Sequence, residues 1–343
     1  MKRIIFALIT LGLLLGFTGC ADSTKNTRAD FVVIENYRTA DASEESDPVL
    51  NAVQSYCEET KSEYSVFTIT DNTPSKLRGA LDLAKNAECR FVIVPAEFRD
   101  TVQSVCADYP SIQFVLFDTY YEDLRDDLYP NLHALDFNYY EAGYLAGRAV
   151  PLNRYDSAGI LDRYYDRRSA MFAQGFVKGA EDTMQDSGKN FSVNYFNVHE
   201  SSDNKINQII YQTIVTSSDA ILYNGEYLQH LIDQYAMRTG MKYIGLGTNY
   251  REITPFFMEL DYPALFRAFM MDYEAGTTSG VNYVRGFKED VIKVTKGTAL
   301  SPEASAQIDE TIEEFIAGNI GIPETPVPYS ELSSEVLTVT VQE

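Results

Sequence analysis

Short apolar runs that alternate with helical patterns constrain the fold of this chain more than any other feature of its sequence. The first four runs begin at Phe31, Tyr64, Phe91 and Phe114, and each is rich in β-branched, aliphatic or aromatic residues. Between them, apolar residues recur every three or four positions, as they do on one face of an α-helix. Apolar strands separated by helices form parallel sheets that are covered on both faces.

The same alternation restarts near residue 139, after a fifth strand predicted over 132–137. Gly143 and Gly147 lie on a predicted helix over 139–150 and would let it approach a sheet or another helix closely. The elements predicted after it are strand 158–161, a helix around residues 172–184, strand 192–198, helix 204–215, strand 220–223, helix 227–239 and strand 242–246. The sequence therefore predicts an α/β protein of two doubly wound parallel-sheet lobes joined by a hinge. Ligands of such sheets bind at the carboxyl ends of the strands.

Capping residues mark where several helices begin and end. A proline follows Asp47, Thr73 and Ser301, and Asp, Thr or Ser before a proline at the first helical position is a typical helix start. Gly318 follows the last apolar residues of the helix that begins after Ser301, so it is the expected end of that helix.

The N-terminus has the composition of an export signal. A basic start precedes an apolar run over residues 4–15, which is short for a membrane span. The run leads to residues 17–20 (FTGC), which resemble the lipobox of bacterial lipoproteins, in which Cys20 would carry the lipid. We therefore expect a signal peptide over 1–19, a polar tether over 20–30, and a location at the outer face of the cell membrane.

Charge and motifs favour a binding protein over an enzyme. The chain carries 50 acidic and 28 basic residues, a formal net charge of −22, which disfavours nucleic acid as a partner. His133, His199 and His230 lie far apart in the sequence, and no nucleophile elbow or phosphate-binding glycine loop occurs in it. Neither a metal nor another cofactor is expected.

Apart from Cys20, the chain has three cysteines, an odd number. Cys57, Cys89 and Cys106 show no metal-like spacing, and each lies within or beside a predicted core element. Buried free thiols are therefore favoured over a disulfide framework, with one disulfide left open.

Several fragments resemble the basic membrane protein family, lipoproteins that serve as substrate-binding components of ABC transporters. They are 141–147 (EAGYLAG), 172–179 (FAQGFVKG), 243–247 (YIGLG), 279–288 (SGVNYVRGFK), and 316–319 (IAGN) leading to 322–326 (IPETP). The resemblance implies a fold like that of type I periplasmic binding proteins. It also implies a first lobe of 31–138 plus about 250–290 and a second of 139–249 plus about 291–343.

The sequence departs from the family pattern where relatives bind nucleosides. The loop after the first strand lacks the family's Asp- and Gly-rich motif, and the Asp that would hold a ribose falls at Gly247 or Thr248. The Arg usually found before Phe172 is Met171 here, although Arg167 and Arg168 are close by. The resemblance therefore implies the scaffold more directly than the ligand.

Polar and aromatic residues at successive strand ends are the candidate ligand-binding residues. From the strand pattern they are Asn36, Tyr37, Glu97, Phe98, Asp118, Tyr120, Asp162, Asn224, Glu226 and Asn249. The resemblance adds Arg168 and Phe172. The alternative for each is a solvated loop residue or a helix cap, which is the commonest use of Asp and Asn at such places.

The expected function is that of a lipid-anchored receptor that delivers a small polar metabolite, with a nucleoside as first choice, to an ABC permease. One alternative is a sensor lipoprotein that reports ligand to a membrane signalling protein. Another is a receptor for sugars. An envelope enzyme, or a scaffold that has lost its ligand, also stays open.

Overall fold

The computed structural model describes two α/β lobes, each built on one sheet. The described residues are 29–36, 47–69, 73–122, 124–162, 166–188, 190–197, 218–224, 242–247, 254–278 and 280–342. The first elements are β1 (Phe31–Asn36), α1 (Pro48–Thr60), β2 (Tyr64–Ile69), α2 (Pro74–Asn86), β3 (Phe91–Val94), α3 (Arg99–Val105), β4 (Gln113–Phe117) and β5 (Leu132–Phe137). The next are α4 (Tyr139–Ala149), β6 (Ser157–Asp162), α5 (Arg167–Ser187), β7 (Phe191–Asn197), β8 (Ala220–Asn224) and β9 (Lys242–Gly247). The last are β10 (Phe256–Leu260), α6 (Tyr262–Ala275), β11 (Asn282–Arg285), β12 (Ile292–Lys296), α7 (Pro302–Ala317) and β13 (Leu337–Gln342).

Both sheets have the strand order of a doubly wound fold. The first sheet has the order β11-β5-β4-β3-β1-β2 with parallel pairs throughout. The second has the order β12-β10-β9-β8-β6-β7-β13, in which β12 is antiparallel to β10 and the other pairs are parallel. The order reverses between β1 and β3 and between β6 and β8, which are the points where such sheets bind ligands. The predicted fold class is confirmed.

The strands are apolar throughout because both faces of each sheet are covered. In β3, Phe91 and Ile93 point into one apolar cluster, while Val92 and Val94 point into another on the opposite face. All four side chains are buried. Successive side chains of a strand point to opposite faces of the sheet. When both faces are buried, residues of both orientations are apolar, whereas a strand with one exposed face alternates apolar and polar residues.

The predicted helix boundaries hold where the chain is described. The Asp47 carboxylate accepts a hydrogen bond from the Val49 N–H at 2.8 Å, and the Ser301 hydroxyl accepts one from the Ala304 N–H at 3.1 Å. Gly318 ends α7 in the left-handed region, with φ of 73°. These contacts satisfy backbone groups that have no partner inside the helix.

The three cysteines of the folded chain are buried free thiols, the arrangement that the sequence favoured. Burial raises the pKa of Cys57 to about 11 and that of Cys89 to about 12. The thiolate, which is the reactive form, is therefore scarce at neutral pH.

Two strands were missed or misplaced by the sequence analysis. Residues 256–260, which it assigned to the first lobe, form β10 of the second sheet, where Phe257 pairs with Gly245 and Thr295. The alternating run at 337–342 was not predicted, and it pairs with β7 as an edge strand. The predicted helices 204–215 and 227–239 lie outside the described residues.

The N-terminal predictions concern residues that are largely outside the described part of the chain, including Cys20. Ala29 is already buried, and the Asp30 carboxylate accepts a hydrogen bond from the Glu63 N–H at 3.2 Å. The last two residues of the predicted tether therefore belong to the first lobe. In the described portion, none of the helices is long and apolar enough to cross a membrane.

Helices α4 and α5 lie in backbone contact because glycines face each other across them. A Cβ on Gly143 would lie 2.0 Å from the Phe172 carbonyl oxygen, and one on Gly147 would lie 2.1 Å from that of Phe176. The relation is reciprocal, since Gly175 and Gly179 meet carbonyl oxygens of α4 at 2.3 and 2.2 Å. The prediction that 139–150 approaches another element closely is thus correct, and that element is α5.

Three segments that connect the lobes are held together by hydrogen bonds. The Asn138 N–H donates to the Arg285 carbonyl at 2.8 Å, and the Asp261 N–H donates to the Val291 carbonyl at 2.9 Å. Glu141 joins the first and third segments, because its carboxylate accepts from the Asn138 amide at 2.9 Å and from the Phe287 N–H at 2.7 Å. These contacts give the hinge a defined structure.

Glu141 itself is 6% exposed. Burial raises the pKa of its carboxyl to about 7, although the hydrogen bonds from Phe287 and Asn138 oppose the shift. The ionised form is therefore less favoured inside the hinge than it is in water.

We expect Gly143→Ala to destabilise the protein by about 1–3 kcal/mol, because the new methyl group cannot fit against the Phe172 carbonyl without moving a helix. Gly79→Ala in α2 is the matched control, since a Cβ there meets nothing within 4 Å, and it should stabilise by about 0.5–1 kcal/mol. Urea denaturation of both variants measures the difference. Equal effects of the two substitutions would contradict the close contact.

We expect Glu141→Gln to flatten part of the pH dependence of stability. Because the folded pKa of about 7 exceeds the ordinary glutamate value of 4.5, the wild-type protein loses stability as the pH rises between these values. The loss is up to about 3 kcal/mol, whereas the glutamine variant keeps an acceptor for the Phe287 N–H and does not titrate. Thermal melts at pH 5 and pH 8 measure it, with the exposed Glu58→Gln as control. If the difference in melting temperature between the variant and the wild type is no larger at pH 8 than at pH 5, the carboxyl does not titrate between these two pH values.

Candidate functional site

Two carboxylates lie side by side at the carboxyl ends of β4 and β5. Phe117 pairs with Leu135 at the end of these strands, so the residues one step further, Asp118 and Asp136, are neighbours across them. Parallel pairing brings the ends of adjacent strands to one edge of the sheet, where ligands bind. The pair therefore marks the candidate site.

Asp118 is held in an uncommon backbone conformation with a half-satisfied side chain. Its φ is 51°, in the left-handed region that only a few per cent of residues other than glycine adopt and that is enriched at functional sites. One carboxylate oxygen, Oδ2, accepts a hydrogen bond from the Tyr262 hydroxyl at 2.8 Å. The other, Oδ1, is buried without a hydrogen-bond partner.

Arg168 reaches this carboxylate from the second lobe. Its Nη1 lies 3.9 Å from Oδ1 of Asp118, beyond hydrogen-bond range, while its Nε and Nη2 donate to Asp166 at 3.2 and 3.0 Å. Asp166 is also the N-cap of α5 and accepts from the Ser169 N–H at 2.8 Å. The start of α5 thus fixes both the arginine and the carboxylate that orients it.

Aromatic rings complete the cluster. The Arg167 guanidinium lies 3.6 Å from the centre of the Tyr120 ring, a cation–π contact between the second lobe and the loop after β4. Arg168 lies 6.0 Å from the centre of the Tyr139 ring. The hydroxyl of Tyr262 in α6 is already bound to Asp118, so the rings and charges form one connected group.

Burial dominates the electrostatics of the cluster. It raises the pKa of Asp118, with Arg168 opposing the shift, and it raises the pKa of Asp136 well above its usual value. It also raises the pKa of Tyr139 and Tyr262 well above that of free tyrosine. For Arg168, burial opposes the charged form, but the neighbouring Tyr139 and carboxylates outweigh it and raise its pKa. Strongly shifted groups collected in one place are typical of functional sites.

The structure brings three of the sequence candidates together, namely Asp118, Tyr120 and Arg168. Phe98 is instead 0% exposed and Phe172 1% exposed, because each packs in an apolar cluster. Neither ring offers a face for stacking. Glu97 is exposed at the surface that follows β3.

The remaining candidates fall at the limits of the described chain. Three end the strands β1, β6 and β8, where their backbone is described and their side chains are not; they are Asn36, Asp162 and Asn224. Tyr37, Glu226 and Asn249, like the lipidation candidate Cys20, lie outside the described residues. These candidates stay predictions.

Four members of the cluster were missed by the sequence analysis, namely Asp136, Tyr139, Asp166 and Tyr262. Asp136 could have been found, since it is a carboxylate inside the buried apolar strand 132–137, and a buried charge in such a strand requires an explanation. Tyr262 could not, because its partner Asp118 lies 144 residues away in the chain. No local pattern connects the two.

Two cavities lie apart from this cluster. One of about 430 Å³ lies beside α5 and is lined by Tyr140, Gln174, Lys178, Glu181 and residues of the 321–333 segment. Another of about 390 Å³ lies between β12 and α7. Among the described residues, no carboxylate that lines either cavity has a buried unpartnered oxygen, whereas Asp118 and Asp136 both have one; the strand-end cluster is therefore the candidate site.

The family comparison matches more than half of the 343-residue chain. Residues 32–234 match the model of the Bmp family, described as ABC transporter substrate-binding protein PnrA-like. No curated protein sequence gives a significant match.

Solved structures share the fold at low identity. An ABC transporter solute-binding protein from Conexibacter woesei DSM 14684 has a TM-score of 0.62 at 13% identity, covering 87% of this chain and 100% of that one. A transcriptional activator of the comK gene from Bacillus halodurans has a TM-score of 0.67 at 15% identity, covering 86% and 99%. A solute-binding protein from Aeropyrum pernix K1 has a TM-score of 0.63 at 13% identity, covering 86% and 94%. At these identities the similarity concerns the fold alone.

Proposed function

We propose that this chain, which belongs to the Bmp family of ABC transporter substrate-binding proteins, is a lipid-anchored receptor on the outer face of the cell membrane. It captures a small polar metabolite between its two lobes and delivers it to an ABC permease. The observation that carries the proposal is the cluster in which Arg168 of one lobe faces Asp118 of the other at 3.9 Å. A ligand bound there contacts both lobes and stabilises their closed arrangement.

A nucleoside is the first choice of ligand. The family description refers to PnrA-like receptors, and the cluster combines aromatic rings with acceptors for hydroxyl groups. The half-buried Tyr120 ring is an aromatic group of the kind that stacks on a base, and the unpartnered oxygens of Asp118 and Asp136 suit the hydroxyls of a pentose. The same oxygens suit a free sugar, which makes a sugar the second candidate.

Attachment through Cys20 fits this role. Acyl chains at the new N-terminus would hold the protein at the membrane, and the polar residues 21–28 would leave the lobes free to reach the permease. The strong net negative charge of −22 argues against docking on anionic lipid. The membrane contact would therefore come from the anchor.

We expect adenosine, guanosine or inosine to raise the melting temperature of the chain that begins after Cys20. A ligand at 100 times its dissociation constant stabilises the folded form by about 2.7 kcal/mol, which is several degrees for lobes of this size. The control variants are Arg168→Ala, which should lose the shift, and the exposed Arg125→Ala, which should keep it.

A shift with D-ribose or other sugars alone would replace the nucleoside by a sugar. The absence of any shift from nucleosides and sugars, in a sample that melts cooperatively, would contradict the proposal. A shift retained in Arg168→Ala would move the binding site away from the cluster.

A further inference from the structure

We infer that Asp136 is a specificity-determining residue of the cleft, where its carboxylate and that of Asp118 accept hydrogen bonds from adjacent hydroxyl groups of an uncharged sugar moiety. The inference rests on the proposed function, because it concerns the same cleft. It assigns hydroxyl recognition to the ends of β4 and β5 in the first lobe. The candidate residue is one that the sequence pattern did not suggest.

One of the two carboxylate oxygens of Asp136 lacks a hydrogen-bond donor. Asp136 is 0% exposed, and its Oδ1 accepts a hydrogen bond from the N–H of the next residue, Phe137, at 3.0 Å. Its Oδ2 is buried without a hydrogen-bond partner. An acceptor in this state lowers the stability of a protein, and such groups are rare in folded chains.

Charged side chains lie near this oxygen. Apart from burial, the groups that act most strongly on Asp136 are the Arg168 guanidinium, which lowers its pKa, and the Asp118 carboxylate, which raises it. Asp118 has an unpartnered buried oxygen of its own, Oδ1. Two acceptors that lack donors therefore lie on adjacent strand ends, next to a guanidinium that is 3.9 Å from one of them.

Hydroxyl groups are the donors that fit these two acceptors. Hydroxyl groups donate one hydrogen bond each, so two hydroxyls on neighbouring carbons can serve two acceptors on neighbouring strands. An anionic group would meet two carboxylates and is disfavoured there by repulsion. The arrangement thus selects an uncharged polyol portion and disfavours a phosphate or carboxylate at this position.

Replacement by asparagine separates a recognition role from a structural one. If the carboxylate serves the ligand, the ligand-free protein tolerates it at a cost, and Asp136→Asn stabilises the free protein by removing a buried carboxyl whose ionisation the fold disfavours. If the carboxylate serves the fold, the same substitution destabilises it. The sign of the change in melting temperature at pH 8, without ligand, therefore tests the inference even before a ligand is known.

The experiment compares wild type, Asp136→Asn and the exposed control Asp100→Asn. We expect Asp136→Asn to raise the melting temperature of the ligand-free protein by about 2–4 °C. We also expect wild type to bind inosine about tenfold or more tightly than 2′,3′-dideoxyinosine, and Asp136→Asn to show a smaller preference, because only the Asp118 carboxylate remains as an ionised acceptor. Asp100→Asn should match wild type in both measurements.

A lower melting temperature of ligand-free Asp136→Asn would overturn the inference, and so would an unchanged preference for inosine. If wild type binds neither nucleoside, the nucleoside part of the proposed function fails. The inference is then decided by the ligand-free melting temperature alone, so the two failures are distinguishable.

Discussion

Parallel pairing of the strands is the constraint on which the rest of this structure depends. Because each sheet is parallel over its central strands, the chain must return through a helix after nearly every strand, and those helices cover both faces. The strands then become apolar on both sides, while the polar residues collect at the strand ends. The candidate site is a consequence of this arrangement, since Asp118 and Asp136 follow paired positions of β4 and β5.

The contact between α4 and α5 helps to position the segments that connect the two lobes. Facing glycines bring the two backbones together, which fixes where α5 begins and hence where Arg167 and Arg168 reach the first lobe. At the same end of this helix pair, Glu141 ties the start of α4 to the segment that follows β11. The position of the guanidinium groups therefore depends on the packing of the first turns of α4 and α5.

The energetics of the cluster also favour a bound ligand. Buried carboxylates with unpartnered oxygens cost stability, and here two of them lie next to one arginine whose Nε and Nη2 are already bound to Asp166. A ligand that supplies the missing donors recovers part of this cost only when it is bound. This is how a receptor can prefer its ligand-bound form.

Much of the fold could be predicted from the sequence, because it follows from local signals. Apolar runs such as 91–94 identify buried strands, and Asp47 and Ser301 identify helix starts by capping chemistry. The strand 256–260 was assigned to the wrong lobe because its sheet is decided by pairing with β9 and β12, which are distant in sequence.

The candidate site was predictable only in part for the same reason. Asp118 and Tyr120 follow a strand and could be selected by position, whereas Tyr262 joins Asp118 from another part of the chain. Phe98 was selected because it follows β3, but the helical turn there directs its side chain into the core. Position at a strand end indicates where a backbone lies and does not settle where a side chain points.

The most direct test of this account is a crystal structure of the protein with inosine at saturating concentration. The account predicts that the ligand lies between the lobes, with hydroxyl oxygens within hydrogen-bond distance of the Asp118 and Asp136 carboxylates and Arg168 beside them. A ligand bound elsewhere, for example in the cavity beside α5, would contradict it.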